Sequence, residues 1–258
     1  MINSTEVTSY EIASDNVLNQ RLSFAYVQAS KHVRGNMLEV GCGAGKGLQF
    51  FAQKCETYTA LDKNDQLLSQ LAAKYAAPKY KFISAFLPPF KNIPDQSIDS
   101  LVTLQVIEHI EDDHAFVAEM FRVMKQGSIA VVSTPNRPLS LSRNPWHVRE
   151  YTANELKNLI GKYFKDFEVL GIKGNEKVMD YHEKNRQSVN KIMRFDIFNL
   201  QYRLPRRFLQ VPYEILNRLN RNKLHQNNNG LVSTVTQADF SVSPSPEQCL
   251  DLYCIIRK

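Results

Sequence analysis

The chain has 258 residues, 43% hydrophobic and 22% charged, with ten glycines and eleven prolines. Such a composition excludes fibrous and wholly disordered chains, since enough apolar surface is present to offset chain entropy in one large domain. Net charge is +6, but residues 172–224 hold 12 Lys/Arg against five Asp/Glu, an excess of seven that leaves the rest of the chain one charge negative. No window approaches the roughly 18 uncharged apolar residues of a membrane-spanning helix. The polar start with Glu6 and Glu11 lacks the cationic, then apolar, pattern of a secretion signal. Cys42, Cys55, Cys249 and Cys254 show no metal or redox spacing. A cytoplasmic protein with reduced thiols is expected.

In chain order, residues 13–33 read as an amphipathic helix that covers one end of the fold. Short apolar runs at 37–40, 58–61, 80–83, 98–104, 128–133, 167–172 and 250–256 read as strands, and helical patterns at 44–54, 64–75, 112–124 and 152–163 separate most of them. Thr152 followed by Glu155 is a capping box for the last of these helices. Alternation of this kind predicts an α/β fold, a doubly wound and mostly parallel seven-stranded sheet. Residues 174–245 break the alternation, with helical patterns at 178–190, 193–201 and 206–221. Phe208, Pro212, Ile215, Leu216 and Leu219 share one face of the last, and Pro212 kinks that helix or begins it. The polar run 226–230 is expected to be a mobile loop. The predicted organisation is thus a helical cover (1–35), an α/β domain (36–173 and 246–258) and a basic helical insertion (174–245).

The most informative segment is Leu38-Glu39-Val40-Gly41-Cys42-Gly43-Ala44-Gly45-Lys46-Gly47, an apolar strand ending in alternating glycines that open a helix. Glycines there allow a sharp turn and close approach of a ligand to backbone amides. Dinucleotide binding needs a glycine three places after the second, and neither register supplies one, because Lys46 and Leu48 stand there. The pattern E-x-G-x-G-x-G, with Asp62 ending the second strand, Gln105-Val106-Ile107-Glu108-His109-Ile110 after the fourth and Lys125-Gln126-Gly127 before the fifth, resembles the class I S-adenosylmethionine-dependent methyltransferases, in particular small-molecule enzymes with a VLEHI-type segment. Residues 33–134 and the final strand carry the resemblance. It implies S-adenosylmethionine as cofactor and S-adenosylhomocysteine as product. It also implies that Asp62, with Lys63 beside it, accepts from the ribose hydroxyls, and that Glu39 receives the ammonium directly or through water. Gly41, Cys42, Gly43, Gly45, Gln105 and Val106 would line the cofactor. Ser84, Ala85 and Phe86 stand where many relatives carry Asp-Ala against the adenine, and Arg21 stands where some pair an arginine with the methionine carboxylate.

A sulfonium methyl is already electrophilic, so the protein must mainly align an acceptor and, for a hydroxyl, take its proton. His109, after the fourth strand, and His147, in Asn144-Pro145-Trp146-His147, are the candidate bases. The five-residue spacing of His109 and His114 does not suit a helical metal pair, so no metal is expected. Arginines interleaved with Phe195, Phe198, Tyr202, Phe208 and Tyr213 suggest an acceptor lid in which Trp146, Arg203, Arg206 and Arg207 hold a small or conjugated acceptor, anionic, glycan- or lipid-linked, with oxygen as the methylated atom. The same segment suits peripheral contact with a membrane. Nucleic acid is disfavoured, as no binding module accompanies the basic residues. The alternative is a non-catalytic scaffold of the same fold whose insertion docks a partner.

Overall fold

The computed structural model describes residues 12–196 and 199–258, so Phe198 and the expected polar N-terminal start lie outside the described residues. The elements run α1 (Asn16–Ala29), β1 (Asn36–Val40), α2 (Leu48–Phe51), β2 (Thr57–Asp62), α3 (Asp65–Lys74), β3 (Tyr80–Ser84), β4 (Ile98–Leu104), α4 (Asp113–Val123), β5 (Met124–Pro135), α5 (Ala153–Ile160), β6 (Asp166–Gly174), α6 (Glu176–Met193), α7 (Leu200–Arg203), α8 (Arg206–Asn227), α9 (Asn229–Thr234), β7 (Phe240–Ser243) and β8 (Asp251–Arg257). The sheet order is β3-β2-β1-β4-β5-β8-β6-β7. The first five strands pair in parallel, and β8 and β7 run antiparallel to their neighbours. All seven expected strands are present. The sheet has eight, because 240–243, inside the segment read as purely helical, pairs with β6 along the outer edge.

Period-two alternation divides the sheet's side chains between two apolar layers. Leu38, Val40, Leu101, Ala130, Val132, Leu252 and Cys254 pack with α4 and α5, while Met37, Tyr58, Val102, Val131 and Tyr253 pack with α1, α2, α6 and α8. Helix starts follow the sequence: Asn64, Asp112 and Asn175 cap α3, α4 and α6 through their side-chain oxygens, and Thr152 and Glu155 form the expected capping box. The helix expected over 44–54 shrinks to α2, because Gly43 and Gly45 take positive φ of 51° and 76° and hold the chain in turns up to Gly47. The one expected over 193–201 shortens to α7, preceded by Asn199 at φ 51°.

Pro212 lies inside α8, which starts six residues earlier, at Arg206. The run 226–230, expected as a loop, holds the α8–α9 junction at Asn228. At the start of α1, the fully buried Asp15 receives Arg218 and Arg221 at 2.8 and 3.0 Å and so clamps α8 onto the body.

Candidate active site

Beyond β1 the chain turns through Gly41 (φ 79°), whose N–H donates to the Leu61 carbonyl at 2.7 Å. A Cβ at Gly41 would run into the Val106 side chain, so glycine is required for space as well as for conformation. Asp62 accepts the Gly43 N–H through one carboxylate oxygen (2.8 Å) and the Asn64 N–H through the other (2.9 Å). It thereby fixes the loop and the start of α3, and its remaining lone pairs stay at the carboxyl edge of β2. Lys63 is exposed; Ala85 N–H donates to the Asp62 carbonyl at 2.9 Å, next to Ser84 at the end of β3, and Phe86 is 81% exposed. Cys42 is buried, and burial drives its thiol far above the usual range, so it is a packing residue without nucleophilic character.

Glu39 lies beneath the loop, 2% exposed and accepting from the Tyr58 hydroxyl, with its carboxylate where a Cβ on Gly47 would stand. Burial raises its pKa to about 7, against the opposing hydrogen bonds of Tyr58 and Tyr26. It is therefore a buried support of the loop, away from the cavity.

That cavity, about 400 Å³, has Gly41–Ala44, Gln105, Glu108 and His109 on the sheet side and Tyr181, Asn185, Tyr213, Asn217 and Arg221 from α6 and α8 opposite. The inserted helices thus face the glycine loop across one space. Gln105, at φ 58°, is held by its N–H to the Ser133 carbonyl (2.7 Å) and its amide to Ser133 Oγ (3.2 Å). Arg21 lines the cavity and pairs with Asp251 at 3.1 Å; the other carboxylate oxygen of Asp251 is buried without a hydrogen-bond partner.

The two histidines meet edge to face, ring centroids 4.9 Å apart. The Trp146 carbonyl lies 3.0 Å from His109 Nδ1 and so assigns the proton to that nitrogen, making Nε2 the basic one. Burial, then the neighbouring His147, lowers the His109 pKa to about 4. His147 donates from Nδ1 to Glu150 Oε1 at 2.6 Å and accepts at Nε2 from the Asn144 amide at 2.8 Å. Glu108, fully buried with its pKa raised by burial to about 7, accepts from Thr134 Oγ1 at 2.9 Å. Donor atoms of Glu108, His109 and His147 lie within 4.8 Å of one another, a spacing that a divalent ion could bridge. Each of the three is nevertheless already engaged in the hydrogen bonds just described.

The expected acceptor residues lie elsewhere. Arg206 pairs with Glu111 at 2.6 Å, Arg207 stacks over Phe208 at 5.0 Å, and Arg203 is exposed. None of the three lines the cavity, and Trp146 donates its indole N–H to Glu214 at 2.8 Å. Arg203 ends α7, Arg207 is exposed near the start of α8, and Arg206 also donates to the His147 carbonyl at 3.2 Å, whereas Tyr213, Asn217 and Arg221 line the cavity itself. Sequence reading named Tyr213 among the lid aromatics but gave Asn217, Arg221 and Glu150 no role, although the spacing of 213, 217 and 221 marks one helix face.

Residues 38–132 match the family model described as "Methyltransferase domain". The chain is 35% identical over 156 residues to a "Probable S-adenosylmethionine-dependent methyltransferase" of Mycolicibacterium smegmatis, covering 58% of this chain and 59% of that one. It is 31% identical over 190 residues to a similarly named protein of Mycobacterium tuberculosis, covering 71% and 66%. The chain belongs to the class I S-adenosylmethionine-dependent methyltransferases. Its cofactor is S-adenosylmethionine, and the glycine loop, the Asp62 edge and the adjoining cavity fit an adenosine joined to an amino acid. The match spans less than two thirds of these relatives' own length. Among solved structures, the [4+2]-cyclase SpnF superposes with a TM-score of 0.55 at 15% identity, over 92% of this chain and 81% of that one. Its likeness speaks for the fold alone, and a fold does not fix the reaction.

Proposed function

We propose that this methyltransferase methylates a hydroxyl of a small or conjugated acceptor held between the His109–His147 pair and the inner faces of α6 and α8. The observation that carries this reading is that the glycine loop and both histidines line one cavity. S-adenosylmethionine supplies an electrophilic methyl there when bound. Arg21 would orient the amino-acid end of the cofactor and Asp62 the ribose. His109 Nε2 accepts the acceptor's proton, while the Trp146 carbonyl holds the opposite side of the ring. Glu150 fixes the orientation of His147, as a carboxylate does beside a catalytic imidazole. The α6 and α8 side chains exclude water and align the hydroxyl.

The lining favours a neutral, hydroxyl-rich acceptor over an anionic one. Tyr181, Asn185, Tyr213 and Asn217 offer hydrogen bonds, whereas of the lining cations Arg21 and Arg221 are already paired with Asp251 and Asp15, and Lys46 donates to Asn19. Methyl transfer from labelled S-adenosylmethionine to a panel of sugars, phenols and carboxylates tests this. His109→Gln should keep cofactor affinity and lose roughly 100-fold or more in turnover on hydroxyl acceptors. Full turnover in that variant would remove His109 from the reaction.

A further inference from the structure

Helix α8 is inside out. Its body-facing side is polar: Glu214 and Asn220 are buried, and Tyr213, Asn217 and Arg221 line the cavity. Its solvent side is apolar: Phe208, Val211, Ile215, Leu216 and Leu219 are 59, 63, 42, 45 and 60% exposed. Steps of three and four residues keep these side chains on one face through about three turns. Just before the helix, Phe195, Leu200, Tyr202 and Leu204 are exposed as well. Among the described residues, nine of the eleven exposed large hydrophobics fall in this stretch, and isolated exposed apolar residues do not cluster this way.

Cations stand along this face and at the ends of the neighbouring helices α6 and α7. Lys191, Arg194, Arg203, Arg207 and Lys223 are exposed, and among the described residues none of them is ion-paired. Acids of the region are occupied: Glu214 is buried on Trp146, and Asp196 accepts the Leu200 and Gln201 N–H groups. An apolar helical face accompanied by unpaired cations matches an anionic bilayer, where apolar side chains enter the headgroup boundary and cations meet lipid phosphates. A second copy of the chain fits poorly, because a symmetric contact would bring the two sets of cations together. No helix of the described residues is long and apolar enough to cross a membrane, so the contact is peripheral.

We infer that the outer face of α8, with Leu200, Tyr202 and Leu204 before it, docks the protein on anionic lipid surfaces. The cavity-lining residues of α8 then lie one helix diameter from the bilayer, within reach of an acceptor presented at the interface. The docking surface shares no side chain with the proposed chemistry and stands or falls separately from it.

Co-sedimentation with vesicles of phosphatidylglycerol and phosphatidylcholine, against phosphatidylcholine alone, tests the inference. The full chain should partition to anionic vesicles at least tenfold better than to neutral ones, and less as NaCl rises. The double variant Ile215→Glu, Leu219→Glu should lose at least tenfold in partitioning, with unchanged circular dichroism and cofactor affinity. The milder Phe208→Ser covers the case where the double variant misfolds, and should lose several-fold. Arg203→Gln with Arg207→Gln should reduce the preference for anionic over neutral vesicles. Equal partitioning of wild type and stripe variants overturns the inference. So does a wild-type dimer that the stripe variants turn into monomer, since a second copy is then the occupant. Vesicle binding that is lost when residues 1–11 are removed overturns it too, in favour of that segment.

Discussion

At the residue scale, His109 joins sequence, geometry and chemistry. Burial and the adjacent His147 hold its pKa at about 4, below the ordinary histidine value of 6.5, so the ring is neutral across the physiological range. A lowered pKa means that the base is lost only on acidification. If His109 is the base, the acid limb of kcat/KM should fall near pH 4; a limb near 6.5 points to an unperturbed imidazole and away from His109. Asp62 allows a second prediction. Its carboxylate already holds the Gly43 and Asn64 amides, so Asp62→Ala removes loop support together with the proposed ribose contacts. Cofactor affinity measured by calorimetry should drop by about 1–3 kcal/mol in a protein that still folds.

At the scale of elements, α8 is anchored to the body by a buried ion cluster. Asp15 is fully buried and meets Arg218 and Arg221, which are 18 and 11% exposed, while Ser14 donates to Asn222 at 2.9 Å. Removing one partner of such a cluster leaves buried charge uncompensated, and Asp15→Ala should cost about 3–5 kcal/mol in urea unfolding. A loss below about 1 kcal/mol would show that α8 is held mainly by other contacts. The same element shows a limit of pattern reading. The sequence reveals the apolar stripe 208–219, and the ordinary inference is that a stripe faces the core. It faces outward here, because its opposite side carries the Asp15 partners and the polar lining that the cavity needs.

At the scale of the whole molecule, two buried carboxyls, Glu39 and Glu108, make stability depend on pH. Both have pKa values raised by burial from 4.5 to about 7. The folded state therefore holds protons that the unfolded chain releases, and the stability they carry is complete below pH 4.5 and declines as pH rises toward 7. His109 acts in the other direction, its contribution falling as pH drops from 6.5 toward 4. Replacing Glu39 by Gln keeps an acceptor for Tyr58 and removes one ionisation. The difference in Tm between Glu39→Gln and wild type should grow from pH 4.5 and level near pH 7; a constant difference would mean that Glu39 stays ionised in the fold.

The order of strands and helices, the glycine loop, the acid at the end of β2 and the histidines at 109 and 147 were all legible in the sequence. These features are local: each rests on side-chain periodicity, a cap or a turn that neighbouring residues enforce by themselves. The edge strand at 240–243 was not legible, since four residues acquire strand character only by pairing with β6. Nor was the burial of Glu39, because a strand residue ahead of a glycine loop has the same sequence whether its carboxylate faces ligand or tyrosine. Tertiary structure alone decided which arginines turn toward the cavity and which stay outside. Helix rotation about its own axis is set by long-range partners, here Asp15 some 200 positions before Arg218, and no local pattern in the chain encodes it.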